Sequence, residues 1–300
     1  MTATTSTKVG FVGLGHMGGN MAARLLAAGY AVYGEERSRE DAQPLVDQGL
    51  RWRGTPRQVA EAADIVLTSI PDDTVLETIG SGRDGILEGL APQKIWVDLS
   101  TVSPRASREM AGRVRARGAA MLDAPVSGSL PQVQSGTLTI MVGGDEQAYS
   151  RAEPVLQVLG TPTRIGGNGQ GLALKLAINI SLAVQMLAFS EGMLLAEREG
   201  VAPALASQVM TASPIGSPML KLRAPLVLDL PQEAWFDVGL MHKDIRLALA
   251  MARDLGIQLP SAAVADQMLT RAAQLGYEHR DIAALFQVLA RTGDQAADGG

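Results

Sequence analysis

The chain has 300 residues and a formal net charge of −5, from 26 basic and 31 acidic side chains. This length predicts two domains, or one large domain, with enough apolar residues for a sizeable core. The acidic balance, without a long basic run, gives no electrostatic support for nucleic-acid binding. Cysteine is absent, which excludes disulfides and thiol nucleophiles. His16, His242 and His279 lack the spacing of metal ligands, so no metal site is expected.

The N-terminal segment MTATTSTK lacks the apolar stretch of a signal peptide. A soluble protein of the reducing cytoplasm, not attached to a membrane, is therefore expected. Residues 1–7 are predicted to form a frayed tail, and residues 292–300 are predicted to be disordered.

The first predicted strand leads into the most informative motif of the N-terminal half. Lys8–Leu14 is short, rich in β-formers and apolar, as expected of a strand buried on both faces. The sequence GLGHMG and a helical pattern ending at Gly29 follow. Strand, G-x-G-x-x-G and helix form the context in which glycines allow a pyrophosphate to approach the backbone at a helix N-terminus. The residues predicted to bind this part of a dinucleotide are Gly13, Leu14, Gly15, His16, Met17 and Gly18.

The residues after the second strand give a mixed signal about the coenzyme. This strand is predicted from Ala31 to Tyr33 or slightly beyond, and an acidic and basic cluster follows it. An acidic side chain there accepts hydrogen bonds from the ribose hydroxyls of NAD, whereas an arginine beside a hydroxyl binds the 2′-phosphate of NADP. Glu36 favours NAD(H), and Arg37 with Ser38 favours NADP(H), so both coenzymes stay open.

Four further strands alternate with helices along this half. They are predicted at Asp64–Ile70, Ile95–Leu99, Ala120–Ala124 and Leu138–Val142. The alternation predicts an α/β fold with a parallel, doubly wound sheet of the Rossmann type, which binds ligands beyond the carboxyl ends of its strands. The segments at such ends are Ile70-Pro71, Ser100-Thr101 and Ser127-Gly128-Ser129.

A glycine-rich loop and a long apolar helix, predicted over about 170–198, come next. The composition almost suits a membrane span, but Lys175, Asn179, Gln185 and Glu191 argue against one, because ionisable groups are costly in a bilayer. The helix is interpreted as an interdomain helix that protein buries on most sides.

Two polar residues of this helix are candidate site residues. Lys175 and Asn179 lie four residues apart, and therefore on one face. Burial disfavours the charged form of a lysine, which makes Lys175 a candidate proton donor or acceptor. The alternative is a buried structural lysine.

The remainder of the chain, from Pro203 to Arg291, shows helical patterns only. We therefore predict a Rossmann domain over residues 1–167 and an all-α domain for substrate binding and dimerisation over residues 168–300. The apolar circumference of the long helix is more than one small domain can cover, which predicts a homodimer. A specificity pocket is expected to include side chains around 213–219 and 235–236.

Four segments together resemble the β-hydroxyacid dehydrogenase family, whose members include 3-hydroxyisobutyrate dehydrogenases and glyoxylate/succinic semialdehyde reductases. The segments are Phe11–Ala22, Asp123–Ser129, Gly169–Asn179 and Lys243-Asp244. They occur in the family's order and spacing, and the resemblance extends from residue 8 to about residue 291.

The resemblance implies a role for each matching residue. Lys175 would be the catalytic acid and base, Asn179 would hold the substrate, and Ser127-Gly128 would bind the substrate carboxylate. Lys243 would lie near both substrate and cofactor. Ser129 replaces a glycine that is common in the family, and this variant of the motif resembles the glyoxylate/semialdehyde reductase branch. Further residues implied to line the cofactor or nicotinamide pocket are Ile70, Pro71, Ser100 and Thr101.

The sequence therefore predicts an NAD(P)-dependent oxidoreductase that transfers hydride between nicotinamide and a small hydroxy acid or its oxo-acid or semialdehyde partner. One alternative is an imine reductase or reductive aminase, whose members usually lack a lysine at the position of Lys175. Another is a non-catalytic dinucleotide-binding module, for which loss of that lysine would be the expected sign.

Overall fold

A computed structural model describes residues 7–297, with side chains to Arg291. The chain divides into two compact units, and the boundary falls between Lys175 and Leu176. The domain limits of 1–167 and 168–300 stay a prediction. The predicted frayed tail lies, apart from residue 7, outside the described residues. The last helix continues to Ala297, so the expectation of disorder from residue 292 is wrong up to that point.

The first unit is built on a nine-stranded sheet. Its strands are β1 (Lys8–Val12), β2 (Ala31–Glu35), β3 (Arg51–Trp52), β4 (Ile65–Thr68), β5 (Ile95–Asp98), β6 (Ala120–Asp123), β7 (Val126–Ser127), β8 (Leu138–Gly143) and β9 (Gly160–Gly166). Its helices are α1 (His16–Ala27), α2 (Arg39–Asp47), α3 (Pro56–Ala62), α4 (Asp73–Ser81), α5 (Ile86–Gly89), α6 (Pro104–Ala116), α7 (Leu130–Ser135), α8 (Glu146–Leu159) and the start of α9 (Gln170–Arg198).

The sheet is doubly wound but not parallel throughout. Its strand order is β3-β2-β1-β4-β5-β6-β8-β7, with β9 paired to β8. The strands from β3 to β6 in this order are parallel, which confirms the Rossmann-type fold. Strand β8 runs antiparallel to β6 and β7. Parallel strands are usually joined by a crossover helix, whereas the segment between β6 and β8 holds the two-residue β7 and only the six-residue helix α7.

The central strands are continuous apolar runs because, as predicted, they are buried on both faces of the sheet. Side chains of a strand alternate between faces, and here both faces are covered. Val9 and Phe11 of β1 pack with α1 and α8 on one side, while Val12 packs with α3 and α6 on the other. The strands that sequence reasoning missed are β3, β7 and β9. Two of them have only two residues, and β9 is partly exposed and carries no apolar alternation.

The second unit is helical, as predicted. It comprises the rest of α9, then α10 (Pro203–Ala212), α11 (Pro218–Leu228), α12 (Val238–Asp254), α13 (Pro260–Gln274), a 3₁₀ helix (Ile282–Ala284) and α14 (Leu285–Ala297). Met186, Phe189 and Met193 of α9 are buried in its core. Among the described helices, α9 alone is long and apolar enough to span a membrane, but a core helix of a soluble protein passes the same test.

One buried ion pair fixes the second unit internally. Arg223 of α11 donates to Asp281 at 2.7 Å, and both side chains are almost fully buried. Asp281 also accepts from the backbone N–H groups of Trp235, Phe236 and Ala283. The carboxylate therefore holds the segment before α12 and the 3₁₀ helix together.

Replacing Arg223 by methionine should lower the free energy of unfolding by about 3–5 kcal/mol, because Asp281 is left buried without its cationic partner. Urea denaturation followed by circular dichroism measures this loss. The matched control is Arg246→Met, which removes an arginine of α12 whose side chain forms no ion pair among the described residues. Equal stability of the two variants would contradict the prediction.

Candidate active site

The glycine-rich turn between β1 and α1 has the shape that a dinucleotide requires. Gly13 has φ +85°, and a side chain on it would overlap the carbonyl oxygen of Ser69. A side chain on Gly18 would overlap the carbonyl of Gly13, so this glycine lets α1 pack closely. A Cβ on Gly15, in contrast, would meet no described atom within 4 Å. The middle glycine thus leaves its backbone open to a ligand.

The start of α1 is equally suited to an anion. Gly15 is the N-cap, and α1 has neither a side-chain cap nor an acidic residue in its first turn. The first N–H groups of a helix have no partners within the helix, and the helix dipole favours negative charge there. The described residues of this turn therefore fit a dinucleotide pyrophosphate.

The charged cluster after β2 is anchored to the glycine-rich turn through Glu36. Its carboxylate accepts from the N–H of Leu14 at 2.7 Å, and its side chain is 17% exposed. The side chain of Arg37 is 99% exposed. Ser38 is the N-cap of α2 and accepts from the N–H of Asp41. Burial, and secondarily the charge of Glu36, raise the pKa of Glu35 to about 7.

Two of the predicted strand-end segments meet through Ser100. Its hydroxyl donates to Asp98 at 2.6 Å and accepts from the N–H of Ile70 at 2.9 Å. A Cβ on Gly13 would touch the Ile70 side chain at 3.4 Å, so Ile70 and Pro71 follow β4 beside the glycine-rich turn. The hydroxyl of Ser100 is thus engaged with the sheet, and Thr101, the next residue, is half-buried.

The Ser127-Gly128-Ser129 segment is more ordered than a loop. Ser127 lies in β7, is paired with Thr139 of β8 and is half-buried. Gly128 has φ +135°, and a side chain there would collide with Leu138 and Gln132. The N–H of Ser129 donates to Gln132 at 2.8 Å, which caps α7. The backbone N–H of Ser129 is thus used at the start of α7, and the binding of a substrate by Ser127, Gly128 and Ser129 stays a prediction.

Lys175 lies on the second turn of α9 and is 8% exposed. The start of this helix is fixed to the sheet by Asp123, the last residue of β6. One carboxylate oxygen accepts from the N–H of Gly169 at 2.7 Å, and the other from the N–H of Leu172 at 3.0 Å. Burial raises the pKa of Asp123 to about 6, and these two hydrogen bonds oppose the shift.

The second unit brings Asn179, Lys243 and Asp244 together. Asn179 is buried and donates to the carboxylate of Asp244 at 2.6 Å. The Lys243 ammonium lies 2.9 Å from the other carboxylate oxygen. Within the described residues, the side-chain oxygen of Asn179 is buried and accepts no hydrogen bond. Such an acceptor is suited to a ligand donor. Lys243 lies in the second turn of α12, within the helix and not at its start.

Sequence reasoning gave no function to Asp123 or Asp244, although both belong to recognised segments. The available signal was an aspartate among apolar neighbours, in MLDAP for Asp123 and in a helix pattern for Asp244. A carboxylate is rarely buried without several donors, so each position indicated a hydrogen-bond centre.

Comparison with known proteins agrees with this geometry. Residues 8–168 match the family described as the NAD binding domain of 6-phosphogluconate dehydrogenase. Residues 169–289 match the NAD-binding family of NADP-dependent 3-hydroxyisobutyrate dehydrogenase. The chain is 35% identical over 283 residues to 2-hydroxy-3-oxopropionate reductase of Escherichia coli, covering 94% of this chain and 97% of that protein.

Solved structures show the same pattern. The 3-hydroxyisobutyrate dehydrogenase of Salmonella typhimurium superposes with a TM-score of 0.86 at 29% identity, covering 94% of this chain and all of the other. An imine reductase of Myxococcus stipitatus reaches 0.65 at 19% identity, covering 95% and 100%, and shares the fold alone. The chain thus belongs to the β-hydroxyacid dehydrogenase family and is an NAD(P)-dependent oxidoreductase of that type.

Proposed function

We propose that this enzyme reversibly reduces a small oxo acid or semialdehyde to its hydroxy acid, with Lys175 as general acid and base. The observation that carries the proposal is the burial of Lys175 on α9, directly after a helix start that is fixed to the sheet. The nicotinamide, when bound, supplies or accepts the hydride. Lys175 would donate its proton to the developing oxyanion during reduction and take it back during oxidation.

The remaining site residues would bind and orient the substrate. The hydroxyl of Ser127 and the backbone N–H of Gly128 would hold its carboxylate, with Thr101 beside the nicotinamide. The unpaired oxygen of Asn179 would accept from the substrate hydroxyl, since the amide nitrogen is held by Asp244. Asp244 likewise holds Lys243, which would contribute positive charge near substrate and cofactor.

A carboxylate-bearing substrate of few carbons agrees with the relatives, whose names give 3-hydroxyisobutyrate and 2-hydroxy-3-oxopropionate. The test is the initial rate with NADH and NADPH, each against glyoxylate, succinic semialdehyde, methylmalonate semialdehyde and 2-hydroxy-3-oxopropionate. Turnover of one of these supports the proposal. A much higher kcat/KM for a cyclic imine would favour imine reduction, and coenzyme binding without turnover of either class would favour a non-catalytic module.

We also propose a cytoplasmic homodimer, in which a second copy covers exposed apolar side chains of α9 and α10 in the second unit. Leu195 of α9 is 70% exposed, and Leu205 and Val209 of α10 are 53% and 60% exposed. Leu205 and Val209 lie one turn apart on a single helix face, as an interface requires. The burial of only 44% of the most apolar window of α9 agrees with this arrangement.

Sedimentation velocity at micromolar concentration should give the mass of two chains for the native protein and of one chain for Leu205→Glu/Val209→Glu. The matched control is Leu255→Glu/Ile257→Glu, which changes two equally exposed apolar residues after α12 and should stay dimeric. A native monomer would contradict the proposal.

A further inference from the structure

Asp123 is a buried carboxylate that joins two predicted substrate-site segments. It closes β6 and begins the stretch that continues to Ser127-Gly128. Its two oxygens also accept from Gly169 and Leu172 at the start of α9. One side chain thus connects the segment predicted to bind the substrate carboxylate with the helix that carries Lys175.

The geometry leaves α9 little freedom to move along the sheet. A side chain on Gly171 would overlap the carbonyl oxygen of Met141 in β8 and would lie 2.9 Å from the Asp123 carboxylate. A Cβ on Gly143 of β8 would lie 2.6 Å from the same carboxylate. Glycine backbone therefore encloses Asp123, which is 0% exposed, and a charged acceptor in such dry surroundings binds N–H groups strongly.

Lys175 lies three residues after Leu172, less than one helical turn from the N–H group that Asp123 holds. Any shift of the first turn would also move the Lys175 backbone, because Leu172 and Lys175 lie in the same continuous hydrogen-bonded stretch of α9. We propose that Asp123 is a positioning residue for Lys175, holding the first turn of α9 so that the ammonium keeps a fixed distance from the Ser127-Gly128 segment. The inference rests on the proposed function of Lys175.

The test compares Asp123→Asn and Asp123→Ala in the full-length enzyme. Asparagine keeps one acceptor oxygen but presents an NH₂ group to the second backbone N–H, and alanine keeps neither acceptor. We expect kcat to decrease from the native enzyme to Asp123→Asn and further to Asp123→Ala. Relative to the native enzyme the decrease should be about 10- to 100-fold, the size of loss that misplacement of a reacting group produces. The coenzyme dissociation constant should stay within about twofold, because the glycine-rich turn is unaltered.

A double-mutant cycle separates positioning from a general loss of stability. If Asp123 acts through Lys175, then Asp123→Asn should cause no further loss of kcat in a Lys175→Ala background. The matched control is Asp145→Ala, which removes the side-chain cap of α8 on the same sheet and should leave kcat unchanged. Hydrogen exchange should accelerate at residues 169–175 in Asp123→Asn and not in Asp145→Ala.

Each outcome bears on one of the two proposals. If Lys175→Ala keeps its kcat, the proposed function fails. If Lys175→Ala loses activity but the effect of Asp123→Asn is unchanged in that background, or exchange at residues 169–175 is unaltered, the positioning inference is overturned while the proposed function stands.

Discussion

Replacing Lys175 by methionine should lower kcat by about 10²–10⁴-fold and leave coenzyme affinity nearly intact. Methionine keeps most of the buried stem but cannot donate a proton, so the loss reports general acid catalysis rather than packing. Lys175 lies outside the glycine-rich turn and the residues after β2. The dissociation constants for NADH and NADPH should therefore change by less than about threefold, an energy difference below about 0.7 kcal/mol.

Stopped-flow measurement of a single turnover gives the chemical step, and fluorescence titration gives the coenzyme dissociation constant. Lys221→Met, which changes an exposed lysine of α11, is the control for removal of positive charge. A kcat within threefold of the native value would assign the proton transfer to another group. A parallel loss of coenzyme affinity would instead indicate that Lys175 supports the fold of the coenzyme domain.

Replacing Glu36 by glutamine should raise the ratio of kcat/KM for NADPH to that for NADH by about tenfold or more. The carboxylate is anchored at the N–H of Leu14, beside the turn that fits a dinucleotide, and is mostly buried. A 2′-phosphate at this position would be repelled by the fixed negative charge of Glu36. At 4 Å the repulsion between two unit charges is about 1 kcal/mol with the dielectric constant of water and about 4 kcal/mol with the effective value for a protein surface. Glutamine keeps an acceptor for Leu14 and removes the charge.

Initial rates with both coenzymes at a saturating substrate concentration measure this ratio. The companion variant is Arg37→Ala, which should weaken NADPH binding far more than NADH binding, because the exposed guanidinium, which lies 3.9 Å from the Glu36 carboxylate, can pair with a 2′-phosphate. An equal decrease of kcat/KM with both coenzymes in Arg37→Ala would indicate that Arg37 stacks on adenine and does not bind the 2′-phosphate. An unchanged ratio in Glu36→Gln would place the ribose away from Glu36.

The fold class and most of the candidate residues follow from local patterns in the sequence. Continuous apolar strands, glycines at fixed offsets and long helical patterns are local features, and each strand of the parallel part except the missed β3 starts within a residue of its predicted position. The 29-residue α9 occupies the predicted range, because no proline or turn residue interrupts its helix formers. The family motifs identified Lys175, Ser127 and Asn179 without reference to any contact.

Contacts between segments that are distant in sequence show which polar groups are already hydrogen-bonded. Ser100 and Ser129 have the same residue type as Ser127, yet the first is engaged by Asp98 and Ile70 and the second caps α7. The antiparallel β8 and the short β7 and β9 also depend on pairing between strands distant in sequence. The pairs Asp123–Gly169 and Asn179–Asp244 join residues 46 and 65 positions apart. Such hydrogen bonds form only when the fold brings distant segments together. A sequence therefore shows which polar groups are present, but not which of them already have a hydrogen-bond partner.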